Sequence, residues 1–148
     1  FKSRIWNRNS RIIKGYTPVK NSYVCDTMAV VLWMEKRKRS PLVRSIFDSV
    51  ENGEVKLNIP AIVLAEVGYL AERKRIETTL ADITQIVKKH INIRIIPLDL
   101  EIISSAFKIT DIPELHDRLI SATAMIMNQE LITNDKIIID SKFIKTIW

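Results

Sequence analysis

The chain has 148 residues, of which 47% are hydrophobic, with a single cysteine and a formal net charge of +6. That length and apolar share suit one compact domain with a core of its own. No apolar run approaches the ~20 residues of a membrane-spanning helix, and the lone Cys25 excludes an internal disulfide framework and points to a reduced, cytoplasmic setting.

The positive charge is not spread evenly. Residues 1–20 hold Lys2, Arg4, Arg8, Arg11, Lys14 and Lys20 and no acid, so the remaining 17 basic residues balance the 17 acidic ones. The expected organisation is a basic N-terminal extension, 1–20, ahead of one domain over 21–148. Such an extension is either a solvated tail or a contact for a polyphosphate.

In chain order, residues 22–26 read as a short apolar strand, and 27–35 and 41–51 as helices. In VKLNI (55–59), Val55, Leu57 and Ile59 alternate as in a strand. Pro60 suits the first turn of a helix running to about Arg75. Ile76, Leu80, Ile83 and Val87 mark one face of a further helix over 76–90. IRIIP (93–97) is a strand, Asp99 caps a helix through Ile109, and DIP (111–113) breaks it. A helix over 115–129 and short strands at 130–133 and 145–148 complete the order. Strands alternating with helices predict a three-layer α/β/α sandwich around a parallel sheet of four to five short strands.

In that architecture strand C-termini and helix N-termini share one edge, where ligands bind. Asp26 is the only charge in SYVCDTMAVVLW and closes the first strand on that edge. Asp135 follows the LIT strand, and Asp117 opens the helix that leads into it. Glu66 is the lone charge in IPAIVLAEVGYLA, about 9 Å along its helix at 1.5 Å per residue. These four acids, separated by 40, 51 and 18 residues, are expected to converge on one pocket. Taken alone, Asp117 has a local explanation in the helix dipole and Asp135 in a turn; Asp26 and Glu66 sit at no evident cap or turn. Converging carboxylates raise one another's pKa, and hard divalent cations relieve them. All-oxygen ligation favours Mg²⁺ or Mn²⁺, and a cluster without His or Cys argues against zinc.

Other polar residues are assigned structural roles: Asp99 and Asp111 as caps or turns, His90 and His116 as residues outside any ligand set. The run Lys36, Arg37, Lys38 and Arg39 is either a solvated charge run or an RNA contact. With three glycines there is no phosphate-cradling loop.

From about residue 22 to the end, the ordered set of acids resembles the PIN-domain ribonucleases. Asp26 followed by Thr27 resembles the family's first acid at the end of strand one. Glu66 in AIVLAEVGYL resembles its helix-borne acid, Asp117 in LHDRLISATA its helix-opening acid, and Asp135 in ITND its last. Among subgroups, size and the lack of added domains resemble the VapC-type toxins of toxin–antitoxin pairs, although the basic extension departs from the pattern in which the first strand nearly begins the protein. The resemblance implies Mg²⁺- or Mn²⁺-dependent hydrolysis of RNA phosphodiesters. Asp26, Asp117 and Asp135 would hold metal, Glu66 would complete the site, and Thr27 and Thr133 would hydrogen-bond the carboxylates. It also implies a homodimer and a small antitoxin partner. The competing expectations are a non-catalytic PIN module that binds RNA or a protein, and an RNA-processing PIN nuclease that is not a toxin.

Overall fold

The computed structural model describes residues 21–148, so the basic segment 1–20 lies outside the described residues. Five strands are found among them: β1 (Ser22–Cys25), β2 (Lys56–Pro60), β3 (Ile93–Ile96), β4 (Leu131–Ile132) and β5 (Thr146–Ile147). Seven helices connect them: α1 (Thr27–Met34), α2 (Pro41–Glu51), α3 (Ala61–Glu72), α4 (Leu80–Lys89), α5 (Leu100–Ala106), α6 (Leu115–Met127) and α7 (Lys136–Ile139).

Every strand pair is parallel, and the sheet order is β3-β2-β1-β4-β5. Tyr23 lies opposite Leu57, Val24 opposite Leu131, and Leu131 opposite Thr146. Parallel strands cannot be joined by hairpins, so each step crosses over through helix. In chain order α1 and α2 link β1 to β2, α3 and α4 link β2 to β3, α5 and α6 link β3 to β4, and α7 links β4 to β5. The strand order reverses between β1 and β4, which opens a crevice at their C-terminal ends.

Burial explains the near-continuous apolar reading of the strands. Val24, Cys25, Leu57, Ile59, Leu131 and Ile132 are all fully buried, as a sheet covered on both faces requires. On α1 and α2, Trp33 and Phe47 stack with ring centroids 4.8 Å apart and planes at 15°. The buried polar exception in the sheet is Asn58 on β2. Its amide donates to Ser22 Oγ at 3.0 Å and Gln129 Oε1 at 2.9 Å, pinning β2 to the starts of β1 and β4. A buried amide so satisfied carries little desolvation penalty and specifies strand register.

The three-layer α/β/α sandwich with a parallel sheet stands, with five strands. Several boundaries move for local reasons. The first strand ends at Cys25 rather than 26, because Asp26 turns to cap α1. Pro60 is the last residue of β2 and flanks α3, which stops at Glu72 rather than near Arg75. The fourth helix begins at Leu80 rather than Ile76, where Thr79 and Asp82 form a reciprocal capping box. The helix capped by Asp99 stops at Ala106, and α6 stops at Met127, where Asn128 takes the left-handed conformation at φ 53°. The short helix α7 has no counterpart among the elements expected from the sequence. No helix among the described residues is long and apolar enough to cross a membrane.

Candidate active site

Asp26 sits immediately after β1 and is the N-cap of α1. Its Oδ1 accepts from the Ala29 N–H at 2.8 Å, and its Oδ2 accepts from the Thr133 hydroxyl just past β4. The side chain is 6% exposed. This corrects the reading of Asp26 as a residue without a cap role: it satisfies an orphan N–H of α1 as well as facing the crevice.

Thr133 ties the two sides of the switch point together. While donating to Asp26, its Oγ1 accepts from the Asp135 N–H at 3.0 Å. Asp135 in turn is the N-cap of α7 and accepts from Ile137 N at 2.8 Å. The geometry accounts for the T-x-D spacing in ITND: the threonine holds the first acid and the backbone of the last.

Glu66 occupies the sixth position of α3, and α3 packs on both α1 and α6. Its Oε1 accepts from the Thr27 hydroxyl at the start of α1, and its Oε2 lies 3.1 Å from His116 Nδ1. His116 Nδ1 also lies 3.4 Å from Glu114 Oε2. Glu114 is the N-cap of α6 and accepts from the Asp117 N–H at 2.9 Å, so Asp117 stands in the helix's first turn.

The acids feel one another. Burial pushes the Asp26 carboxyl up to about 6, against hydrogen bonds from Thr133 and Ala29, and the charges of Asp135 and Glu66 add to the rise. Asp117 is also pushed up to about 6, first by burial and then by Asp135, Glu114, Glu66 and Asp26. A carboxylate cluster of this kind is costly as a purely structural device and is the pattern found at catalytic centres. The four sequence-predicted acids therefore share one edge and one electrostatic environment, and Thr27 and Thr133 each donate to one of them.

The acids stand beyond ligand distance of a common point: among the described residues no three His, Cys, Asp or Glu side chains are gathered closely enough to hold an ion. The donor set still fits a hard cation in chemistry, being oxygen-rich, partly buried and over-supplied with negative charge.

Two residues escaped the sequence reading. His116, assigned a structural role, contacts Glu66, and Glu114 contributes to the charge on Asp117. The signal was present in ELHD, which places an N-cap acid and a histidine within one turn of Asp117. The run Lys36–Arg39 follows the C-terminal end of α1, whereas Asp26 caps its N-terminal end, so it stands about 12 Å or more from Asp26.

The family model of the PIN domain matches residues 23–143. The chain belongs to the PIN-domain family. Among solved structures, it is similar to VapBC2 from Rickettsia felis bound to a promoter DNA fragment. The TM-score is 0.65 and the identity 20%, over 86% of this chain and 98% of that one. A toxin–antitoxin complex from Klebsiella pneumoniae matches with TM-score 0.60 and 19% identity, over 85% and 96% of the two chains. FitAcB from Neisseria gonorrhoeae matches with TM-score 0.58 and 19% identity, over 85% and 96%. These similarities are of fold. No curated protein matches the chain by sequence.

Proposed function

We propose that this PIN domain is a divalent-metal-dependent ribonuclease and acts as a VapC-like toxin. The observation that carries the reading is the edge of four acids at the switch point, with Asp26 buried among other carboxylates. Asp26, Asp117 and Asp135, with Glu66, would hold Mg²⁺ or Mn²⁺, which when bound supplies Lewis-acid polarisation of the scissile phosphate and an acidified water.

The chain's own residues prepare that chemistry. Ala29 N–H and the Thr133 hydroxyl fix both oxygens of Asp26, and Thr27 fixes one oxygen of Glu66. The other oxygen of Glu66 faces His116, so this pair is placed to orient the attacking water and to take up its proton.

Three partners follow from the reading. RNA is the substrate. A small antitoxin covers the acid edge, in line with the toxin–antitoxin complexes whose fold the chain shares. A second copy pairs through exposed apolar positions such as Leu100 and Ile103 on α5 and Phe107 at its C-cap, which repeat at helical spacing. A buried, unpaired Cys25 accords with a cytoplasmic home, and residues 1–20 act as an extension separate from the domain.

Incubation of the protein with labelled RNA in Mn²⁺ or in EDTA, beside Asp117→Asn, tests the reading. Cleavage in Mn²⁺ alone, lost in the variant, is expected. Intact RNA, together with no Mn²⁺-induced rise in Tm, would leave a PIN module that binds without cutting.

A further inference from the structure

Away from the acids, the described chain carries a second concentration of charge, of the opposite sign. It lies in two turns, Lys36–Arg39 after α1 and Arg73–Arg75 after α3. The two turns have the same backbone. Lys36 N–H donates to Trp33 O at 3.1 Å and Arg37 N–H to Leu32 O at 2.8 Å; Lys74 and Arg75 repeat this to Ala71 O and Leu70 O, each at 3.0 Å. This is the Schellman arrangement, whose left-handed residue is usually glycine. Here it is lysine both times, at φ 54° and 57°. Arg37, Lys74 and Arg75 line one cavity with Glu35 and Glu77, so the two turns face each other.

Arg39 adds two unpaired donors. Its Nε and Nη1 are buried and have no hydrogen-bond partner among the described residues. Its guanidinium lies 5.8 Å over the ring of Phe47. A buried guanidinium donor left unpaired is costly unless something supplies the acceptor. Lys36, Arg37, Lys38, Arg39 and Arg44 surround a cavity of about 330 Å³ whose acids are Asp48 and Glu51. Glu51 is already engaged by Trp33 Nε1 at 2.8 Å. Nearby Glu35 accepts from the N–H groups of Glu77 and Thr78 and the Thr78 hydroxyl, and its other oxygen meets Arg37 Nη1 at 3.4 Å, so of the five cations Arg37 alone has a carboxylate partner among the described residues. The cavity therefore keeps an excess of cationic donors.

We propose that the paired basic turns, with Arg39 at their centre, hold backbone phosphates of an RNA strand at the end of α1 remote from Asp26. The substrate is then gripped at two places, about 12 Å or more apart along α1: at the acids, where it is cut, and at the turns, where it is anchored. Five cations within one cavity suit a polymer of repeated phosphates, and guanidinium donors match phosphate oxygens in geometry. The proposal rests on RNA being the substrate but not on its being cut.

The test is binding of a fluorescent single-stranded oligouridylate of about 20 nucleotides, followed by anisotropy in EDTA across a range of KCl concentrations. The variants are Lys38→Ala/Arg39→Met, which keeps an apolar stem on Phe47, and Lys74→Ala/Arg75→Ala on the second turn. Each is expected to weaken binding about tenfold and to flatten the plot of log affinity against log salt by about 1.4, the equivalent of two lost phosphate contacts. Arg39→Lys is expected to restore part of the salt slope but not the full affinity. If the first variant unfolds, the second carries the test. Unchanged affinity and slope in a folded variant of either turn would overturn the proposal. So would unchanged RNA binding with lost binding of polyglutamate, which would assign the turns to an acidic protein. Failure of the cleavage assay in Mn²⁺ leaves this readout intact, so the two readings fail separately.

Discussion

The acid edge and the basic turns lie at opposite ends of α1, and the chain handles the two signs of charge differently. The acids are held. Asp26 is gripped by a backbone N–H and a hydroxyl, Asp135 by backbone N–H groups, and Glu66 by Thr27 and His116. The cations are held less firmly: Lys36 and Lys38 are exposed on a turn, Arg37 meets Glu35 at 3.4 Å on the surface, and Arg39 and Arg73 lie over the rings of Phe47 and Tyr69. Held charges serve chemistry, which requires fixed geometry. Loose charges serve attraction, which tolerates motion and is sensitive to salt. Both arrangements cost stability, so relieving them gives the sharpest tests of the contrast.

The largest expected effect is at Asp26. Its carboxyl rises from 3.8 to about 6 in the folded protein, chiefly by burial. Above pH 6 both folded and unfolded chains carry the charge, and the folded one bears the burial penalty. As pH falls from 6 toward 3.8 the folded chain takes up the proton first, so this group makes the protein more stable, not less, across that window. The displacement is equivalent to about 3 kcal/mol at 1.36 kcal/mol per pH unit. Asp26→Asn keeps a competent N-cap and is expected to raise stability by about 2–3 kcal/mol at pH 7.5, and to remove the gain on acidification. Urea unfolding at pH 7.5 and 5 measures both. The same variant is expected to abolish the Tm rise that the proposed site would give the wild-type chain in Mn²⁺, because a bound cation would relieve the same penalty. A destabilised Asp26→Asn would mean that the carboxylate is there for the fold.

Thr133→Val breaks the link between the two sides of the switch point. The hydroxyl lies between Asp26 Oδ2 and the Asp135 N–H, so its loss leaves a buried carboxylate short of a donor and an N–H short of an acceptor. A cost of about 1–3 kcal/mol is expected, together with a further rise in the Asp26 pKa read by NMR titration. An unchanged titration would show that Thr133 only packs.

The legibility of this molecule followed the same division. The sheet was readable because a parallel strand buried on both faces is apolar throughout, as in Val24–Cys25 and Leu131–Ile132. Asp26 and Glu66 stood out as lone charges in such stretches. What was missed depends on pairing across the chain. Asn58 fell between Leu57 and Ile59 in the alternation of VKLNI, and nothing in that segment shows that Ser22 and Gln129 close on it. His116 had no visible neighbour at ligand spacing, because Glu66 reaches it from 50 residues away through the packing of α3 on α6. Four-residue α7 is too short to show a period, and its signal was only the capping aspartate. The orphaned donors of Arg39 could not be read at all, since burial of a guanidinium is a property of its surroundings.

The smallest expected effect is at the basic turns. Lys36 and Lys74 hold left-handed conformations that glycine adopts without strain, at φ 54° and 57°. Lys36→Gly and Lys74→Gly are each expected to change stability by no more than about 0.5–1 kcal/mol in the stabilising direction, partly offset by the greater freedom of glycine in the unfolded chain. Thermal unfolding at two salt concentrations separates the contributions. Relief of backbone strain is independent of salt, whereas relief of repulsion among the clustered cations fades as salt rises. If the double variant gains stability in both conditions while losing affinity for oligouridylate, the lysines are retained against the preference of the turn, which is what an anchoring role requires. If it gains stability with RNA binding unchanged, the two lysines close their helices without gripping the strand, and the anchor at the paired turns is overturned.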